Sequence, residues 1–176
     1  MLKNLIDSSW TLFLDRDGVI NKRIFGGYIL SPKDFHFEAG VLDFLKFANN
    51  HFYKIVVVTN QQGVGKGLMT SKELNRLHDF MIDIVLDNGG RIDKVFCADN
   101  LKGAIDDRRK PLPVMGIEAK KEFPKIEFTK SIMIGDTDSD IKFGKHLGMK
   151  TILIKSKEEV VEDADFQINA LNELIF

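Results

Sequence analysis

The sequence predicts an α/β three-layer sandwich, with helices on both faces of a mainly parallel sheet. Three observations carry this. Short apolar runs alternate with helix-period segments along the whole chain. The runs are mostly continuous rather than alternating, as strands covered on both faces require. A helix between successive strands implies a right-handed crossover and parallel pairing.

Taken in order, the first strand is 11–14 (Thr-Leu-Phe-Leu), and Val41 to Asn49 reads as the first helix. The second strand is 54–58, whose core Ile55-Val-Val-Val58 is β-branched throughout and far too short to span a bilayer. The clearest helix begins at Thr70-Ser-Lys-Glu73, a capping-box pattern, and carries Leu74, Leu77, Phe80, Met81, Ile84 and Val85 on one face. It stops at Gly89-Gly90, where a left-handed turn is easy. Strands are predicted at 94–96, 131–134 and 151–154, with helices over 114–122 and 139–147. His78 and His146 read as helix-surface residues. No repeat, low-complexity tract or linker interrupts the pattern, so residues 1–176 are expected to form one domain.

Composition narrows the function. Twenty-five Lys+Arg against 26 Asp+Glu give a net charge of −1, so neither nucleic acid nor an anionic membrane is an expected partner. The 44% apolar and 29% charged shares are those of a globular chain. Cys97 is the single cysteine, which rules out an intrachain disulfide and fits a reducing compartment. The first nine residues lack the apolar stretch of a secretory signal. A cytoplasmic protein, monomeric or weakly homo-oligomeric, is expected.

In such sheets ligands bind beyond the carboxyl ends of the strands. There the sequence puts Asp15-Arg-Asp17-Gly18, Thr59-Asn60-Gln61 and Gly135-Asp136-Thr-Asp-Ser-Asp140, with Arg109-Lys110-Pro111 just before a helix. Asp15 and Asp17, two apart in extended chain, can point the same way. Asp140, four beyond Asp136, can face the same point from the first turn of its helix. Several carboxylates converging without a cation repel one another. A hard divalent ion resolves this, and an all-oxygen set suits Mg²⁺. Lys110 adds fixed positive charge; Thr59 and Asn60 add neutral donors. Together they describe a phosphoryl-transfer site. Arg109, beside Lys110, offers a planar fork suited to a second phosphate or carboxylate on the substrate.

The four stretches Phe13-Leu-Asp-Arg-Asp-Gly-Val-Ile-Asn21, Val57-Val-Thr-Asn-Gln-Gln-Gly63, Arg109-Lys-Pro111 and Ile134-Gly-Asp-Thr-Asp-Ser-Asp140 resemble the four motifs of the haloacid dehalogenase (HAD) superfamily of phosphohydrolases. The first two are closest to its histidinol-phosphatase and heptose-bisphosphate-phosphatase branch. The resemblance spans roughly residues 10–155 and implies a Rossmann-like sheet. It implies Asp15 as nucleophile forming an aspartyl-phosphate, and Asp17 as general acid then base, ligating metal through its backbone carbonyl. Thr59 and Asn60 would hold phosphoryl oxygens, Lys110 would neutralise charge, and Asp136 would hold Mg²⁺ beside Asp15, with Asp140 as support.

One departure is visible. Members of that branch often carry a Cys/His zinc loop, but residues 97–110 hold Cys97 with no second Cys and no His, so no structural zinc is expected. Cys97 reads as a buried or edge-strand residue. Neither loop between motifs has room for a folded cap, so loops should enclose the substrate. The expected substrate is a small phosphorylated metabolite, heptose 1,7-bisphosphate or a similar sugar phosphate, with histidinol phosphate as the alternative. A phosphatase for nucleic-acid ends and a non-enzymatic phospho-receiver are further alternatives. Against the receiver, Asp17 supplies an acid/base that a durable phospho-signal would avoid.

Overall fold

The computed structural model describes residues 6–175. Strands β1 (Thr11–Leu14), β2 (Lys54–Asn60), β3 (Lys94–Ala98), β4 (Ser131–Gly135), β5 (Lys150–Ile154) and β6 (Phe166–Ile168) form one sheet. Helices α1 (Val41–Asn49), α2 (Ser71–Asp87), α3 (Val114–Glu122) and α4 (Asp138–Leu147) lie between them. The order is β3-β2-β1-β4-β5-β6 and every pairing is parallel. The expected three-layer sandwich is the one that forms.

The pleat sorts the strand residues between two cores. Leu12, Leu14, Ile55, Val57, Ile132 and Ile134 pack with Phe44 and Leu45 of α1 and Leu74, Leu77, Met81 and Val85 of α2. Their neighbours Phe13, Val56, Val58 and Met133 pack with Met115 and Ala119 of α3 and Phe143 of α4. Period-two alternation in strands apolar on both faces is what a buried parallel sheet produces. Each fully buried Leu, Ile, Val or Phe contributes roughly 1.5–3 kcal/mol, so the central strands anchor the fold.

Helix α2 starts as its sequence requires. Glu73 N donates to Thr70 Oγ1 at 3.2 Å, and Thr70 N donates back to Glu73 Oε2 at 2.8 Å. One expectation fails here: His78 is not on the surface. It is buried on the apolar face of α2, 6% exposed, because a buried guanidinium waits for it there. His146 on α4 is exposed, as expected.

The chain leaves β1 for β2 on one side and returns to β4 on the other. The order therefore reverses at β1, and the crevice beyond β1 and β4 is the topological switch point. Between Asp99 and Pro113 no helix or strand forms, so that stretch approaches the crevice as loop. No helix among the described residues is long and apolar enough to cross a membrane.

Candidate active site

Asp15 follows β1 and its backbone N–H donates to Ile134 O of β4 at 3.0 Å, which fixes it at the switch point. Asp136 follows β4, and Asp140 lies in the first turn of α4. One carboxylate oxygen from each of Asp15, Asp136 and Asp140 falls within 4.8 Å of the others, and all three residues are buried. Two glycines permit this. Gly18 has φ +92°, and a Cβ on it would lie 2.2 Å from Asp136 Oδ2; a Cβ on Gly135 would lie 2.1 Å from Asp140 Cβ. Any side chain at either position would push a carboxylate aside.

Lys110 enters from the loop before α3 and is almost wholly buried. Its Nζ lies 2.8 Å from Asp15 Oδ1 and 2.6 Å from Asp140 Oδ1, and donates to Val58 O at 2.7 Å. Burial pushes the ammonium's pKa down, but Asp140 and Asp15 outweigh it and hold the group charged. Asn60 holds Lys110 in place: its Oδ1 accepts from Lys110 N at 2.9 Å and its Nδ2 donates to Lys110 O at 3.2 Å. The Asn60 amide is therefore engaged with backbone. Asp140 Oδ2 accepts from Thr137 N at 3.0 Å and from Thr137 Oγ1 at 2.6 Å, closing the start of α4.

Asp136 is different. Neither of its buried oxygens has a hydrogen-bond donor, and its nearest cation is Arg23, with Nη1 3.3 Å from Oδ2. Burial, then the charge of Asp15, push its pKa up to about 8. Asp15 rises to about 6, chiefly through burial and against the pull of Lys110. An orphaned carboxylate beside two others, all oxygen ligands, is the chemistry a hard divalent cation fits.

The Asp17 side chain lies outside this cluster. Arg16 Nη2 donates to both of its oxygens at 3.0 Å, Asn21 Nδ2 to Oδ1 at 2.8 Å, and Gln61 Nε2 to Oδ2 at 2.6 Å. Burial raises its pKa, but Arg16 and the amide donors more than reverse this, so it is held ionised. Gln61 Nε2 also donates to Thr59 Oγ1 at 2.9 Å. A hydroxyl that accepts in this way keeps its own proton for another acceptor. Asp15, Asp17, Thr59, Asn60, Arg109 and Lys110 line one cleft of about 350 Å³, into which Arg23 and Glu158 also project. Arg109 Nη1 is buried without a partner.

Residues 107–172 match the HAD-hydrolase-like family model. D-glycero-β-D-manno-heptose-1,7-bisphosphate 7-phosphatase of Helicobacter pylori is 33% identical over 151 residues, covering 85% of each chain. The chain belongs to the HAD superfamily. Campylobacter jejuni D-glycero-α-D-manno-heptose-1,7-bisphosphate 7-phosphatase is 32% identical over 164 residues, 93% of this HAD chain and 92% of its own. The D,D-heptose 1,7-bisphosphate phosphatase of B. bronchiseptica, solved with magnesium and phosphate, matches with a TM-score of 0.84 and 22% identity. That match covers 94% of this chain and 96% of the other, and speaks to the fold. This HAD protein is a phosphatase, so the phospho-receiver alternative falls.

All the residues predicted from sequence lie at this one edge of the HAD sheet, with Asp140 closer to the metal candidates than the Asp17 side chain is. Four others were missed. Arg16 and Gln61 stood inside quoted motifs without a role, and His78 looked like helix surface. Arg23 carries no sequence signal at all. Cys97 lies in β3, the edge strand, where burial pushes its thiol up to about 12.

Proposed function

We propose that this phosphatase hydrolyses a sugar phosphate, with D-glycero-D-manno-heptose 1,7-bisphosphate as substrate, in a Mg²⁺-dependent reaction through an aspartyl-phosphate on Asp15. The observation that carries the reading is Asp15 at the switch point, Lys110 2.8 Å away on one side and the donorless Asp136 on the other. The substrate comes from the relatives' names, which divide between the α and β anomers.

In the proposed sequence Asp15 attacks phosphorus and the bond to the ester oxygen breaks. The leaving alkoxide takes a proton from Asp17. Water then attacks the acyl phosphate, Asp17 removes its proton, and phosphate leaves as Asp15 is regenerated. Splitting the displacement in two makes each half easier than direct attack by water. The ionised Asp17 of this arrangement is the form the second half needs; the first half needs the protonated form, which the negative charge of an incoming phosphate favours. Lys110 offsets negative charge on the nucleophile and the phosphoryl group, and Thr59 donates its free hydroxyl proton to a phosphoryl oxygen. Asn60 contributes by fixing Lys110. Asp15, Asp136 and the backbone carbonyl of Asp17 would hold Mg²⁺, with Asp140 supporting them; the ion supplies charge neutralisation that suits phosphoryl transfer. The partner is a soluble metabolite in the cytoplasm, without nucleic acid or membrane.

A phosphate-release panel tests this: both heptose bisphosphate anomers, histidinol phosphate, an oligonucleotide 5′-phosphate and an aryl phosphate, each with Mg²⁺, Zn²⁺ or chelator. The expected result is Mg²⁺-restored turnover with kcat/KM for one heptose anomer at least about tenfold above histidinol phosphate. Preference for the oligonucleotide, or full activity in chelator, would overturn it.

Arg109 should set the preference for a second anionic group, since it lines the cleft beside Lys110 and its Nη1 has no hydrogen-bond partner. Arg109→Ala is expected to raise KM for the bisphosphate by about 10–100-fold, the value of one or two charge-assisted hydrogen bonds. KM for an aryl phosphate should barely move. Equal losses on both would assign Arg109 to the reacting phosphate instead.

A further inference from the structure

Arg16 is the largest fully buried side chain among the described residues, and nothing in the proposed chemistry uses it directly. A guanidinium removed from water is costly unless its donors are met. Here they are. Nη2 reaches both oxygens of Asp17 and Gln61 Oε1, each at 3.0 Å, and Nε points at Asp17 Oδ1 from 3.3 Å. The ring of Phe35 lies 6.0 Å from the guanidinium carbon. The remaining nitrogen, Nη1, donates to His78 Nε2 at 3.1 Å.

An arginine has no lone pair to offer, so His78 Nε2 must be the acceptor and carry no proton. Burial and the neighbouring Arg16 push the imidazole down to about 3, so it remains neutral throughout the working range. His78 is also the only polar residue among the buried positions of α2, whose other members are Leu74, Leu77, Met81 and Val85. A histidine there departs from the helix's own apolar pattern, and its contact with Arg16 accounts for it.

We infer that His78 is a positioning residue for the acid–base carboxylate: through Arg16 it ties Asp17 and Gln61 to helix α2. The chain of contacts runs from α2 to the end of β1 and on to β2, because Gln61 Nε2 bridges Asp17 Oδ2 and Thr59 Oγ1. Without the acceptor at Nε2, Arg16 keeps its charge but its Nη1 loses its hydrogen-bond partner. Asp17 and Gln61 are then held by a guanidinium no longer tied to α2. A small misplacement of a proton-transfer group is costly to rate, whereas Lys110 has its own supports in Asp15, Asp140 and the Val58 carbonyl.

This rests on the acid–base reading of Asp17, and the test separates the two. Gln places an amide atom where His78 Nε2 stands; Asn stops at the position of Nδ1. Both are polar and of similar bulk, so a general packing effect treats them alike. Single-turnover formation of the phospho-enzyme by His78→Gln, His78→Asn and Asp17→Asn would be compared on an alkyl (sugar) phosphate and an activated aryl phosphate, whose leaving group needs little protonation. His78→Asn is expected to slow phospho-enzyme formation from the alkyl ester by about tenfold or more, a fraction of the full acid contribution. Phospho-enzyme formation from the aryl ester should stay within about threefold, and His78→Gln should recover most of the loss. Equal losses for Asn and Gln, equal losses on both esters, or no loss at all would each refute the inference. If Asp17→Asn itself shows no leaving-group dependence, the acid role of Asp17 fails instead. Should neither His78 variant fold, Arg16→Lys, which retains charge without the fork, takes their place with the same two esters.

Discussion

Asp15→Asn is expected to abolish turnover and leave the fold intact. An amide oxygen is a poor nucleophile and cannot form an acyl phosphate that water reopens to a carboxylate. Uncatalysed phosphate-monoester hydrolysis is among the slowest reactions known, so little remains once the covalent route is closed. The fold should tolerate the change. Asn matches Asp in shape, and Lys110 keeps Asp140 Oδ1 at 2.6 Å and Val58 O at 2.7 Å. Asp15 sits at about 6, above its ordinary 3.8, so removing its charge relieves a buried carboxylate rather than stranding a partner. Phosphate release, a thermal melt and mass analysis of quenched enzyme check this. A residual kcat above about a tenth of wild type, roughly 1.4 kcal/mol of lost stabilisation or less, would remove Asp15 as nucleophile.

That Asp15, Lys110 and Asp136 meet was legible because topology does the placing. A parallel sheet brings the carboxyl ends of its strands to one edge; Asp15 and Asp136 follow apolar runs that read as strands, and Lys110 stands just before a helix start. The boundaries were less legible. β2 continues through Thr59 and Asn60 because they pair with Cys97 and Ala98 of β3, a stabilisation that polar residues do not advertise. β6 left no trace in its own pattern: Phe166, Gln167 and Ile168 become a strand by adding to the edge of β5.

The misses at the site share a cause. Hydrophobic periodicity reads His78 as the flank of an amphipathic face, and only the buried Arg16 makes it part of the interior. Arg23 reaches Asp136 from a loop of no regular structure, where spacing carries no directional information. Most candidate substrate and metal residues stand at strand ends or helix starts, so pattern finds them. Residues that hold those groups in place arrive from anywhere in the fold.

Asp136→Asn should push activity and stability in opposite directions. Without its second charged oxygen ligand the site loses most of its affinity for a hard divalent cation, which prefers charged oxygen donors. At fixed Mg²⁺, kcat/KM is expected to fall by about 10³-fold or more, the scale of several kcal/mol of charge stabilisation. The metal-free protein should become more stable. Asp136 is buried with no donor on either oxygen, and Asp15 lies close by. Its folded value of about 8 stands above its ordinary 3.8, so the metal-free fold binds a proton that the unfolded chain releases. Stability is therefore lost as pH rises through that window. Asn carries no such liability. The variant's melting temperature should exceed that of metal-free wild type by about 2–8 °C near pH 8, for a gain of roughly 1–2 kcal/mol. The advantage should shrink toward pH 4, where Asp136 is protonated in the metal-free fold and the unfolded chain is itself at the midpoint of its titration. Differential scanning calorimetry in chelator at both pH values, Mg²⁺ titration calorimetry and phosphate-release kinetics at fixed Mg²⁺ read the three quantities. A variant less stable than metal-free wild type at high pH would mean that Arg23, 3.3 Å away, already compensates the carboxylate. Unchanged Mg²⁺ affinity would transfer the ion to other ligands.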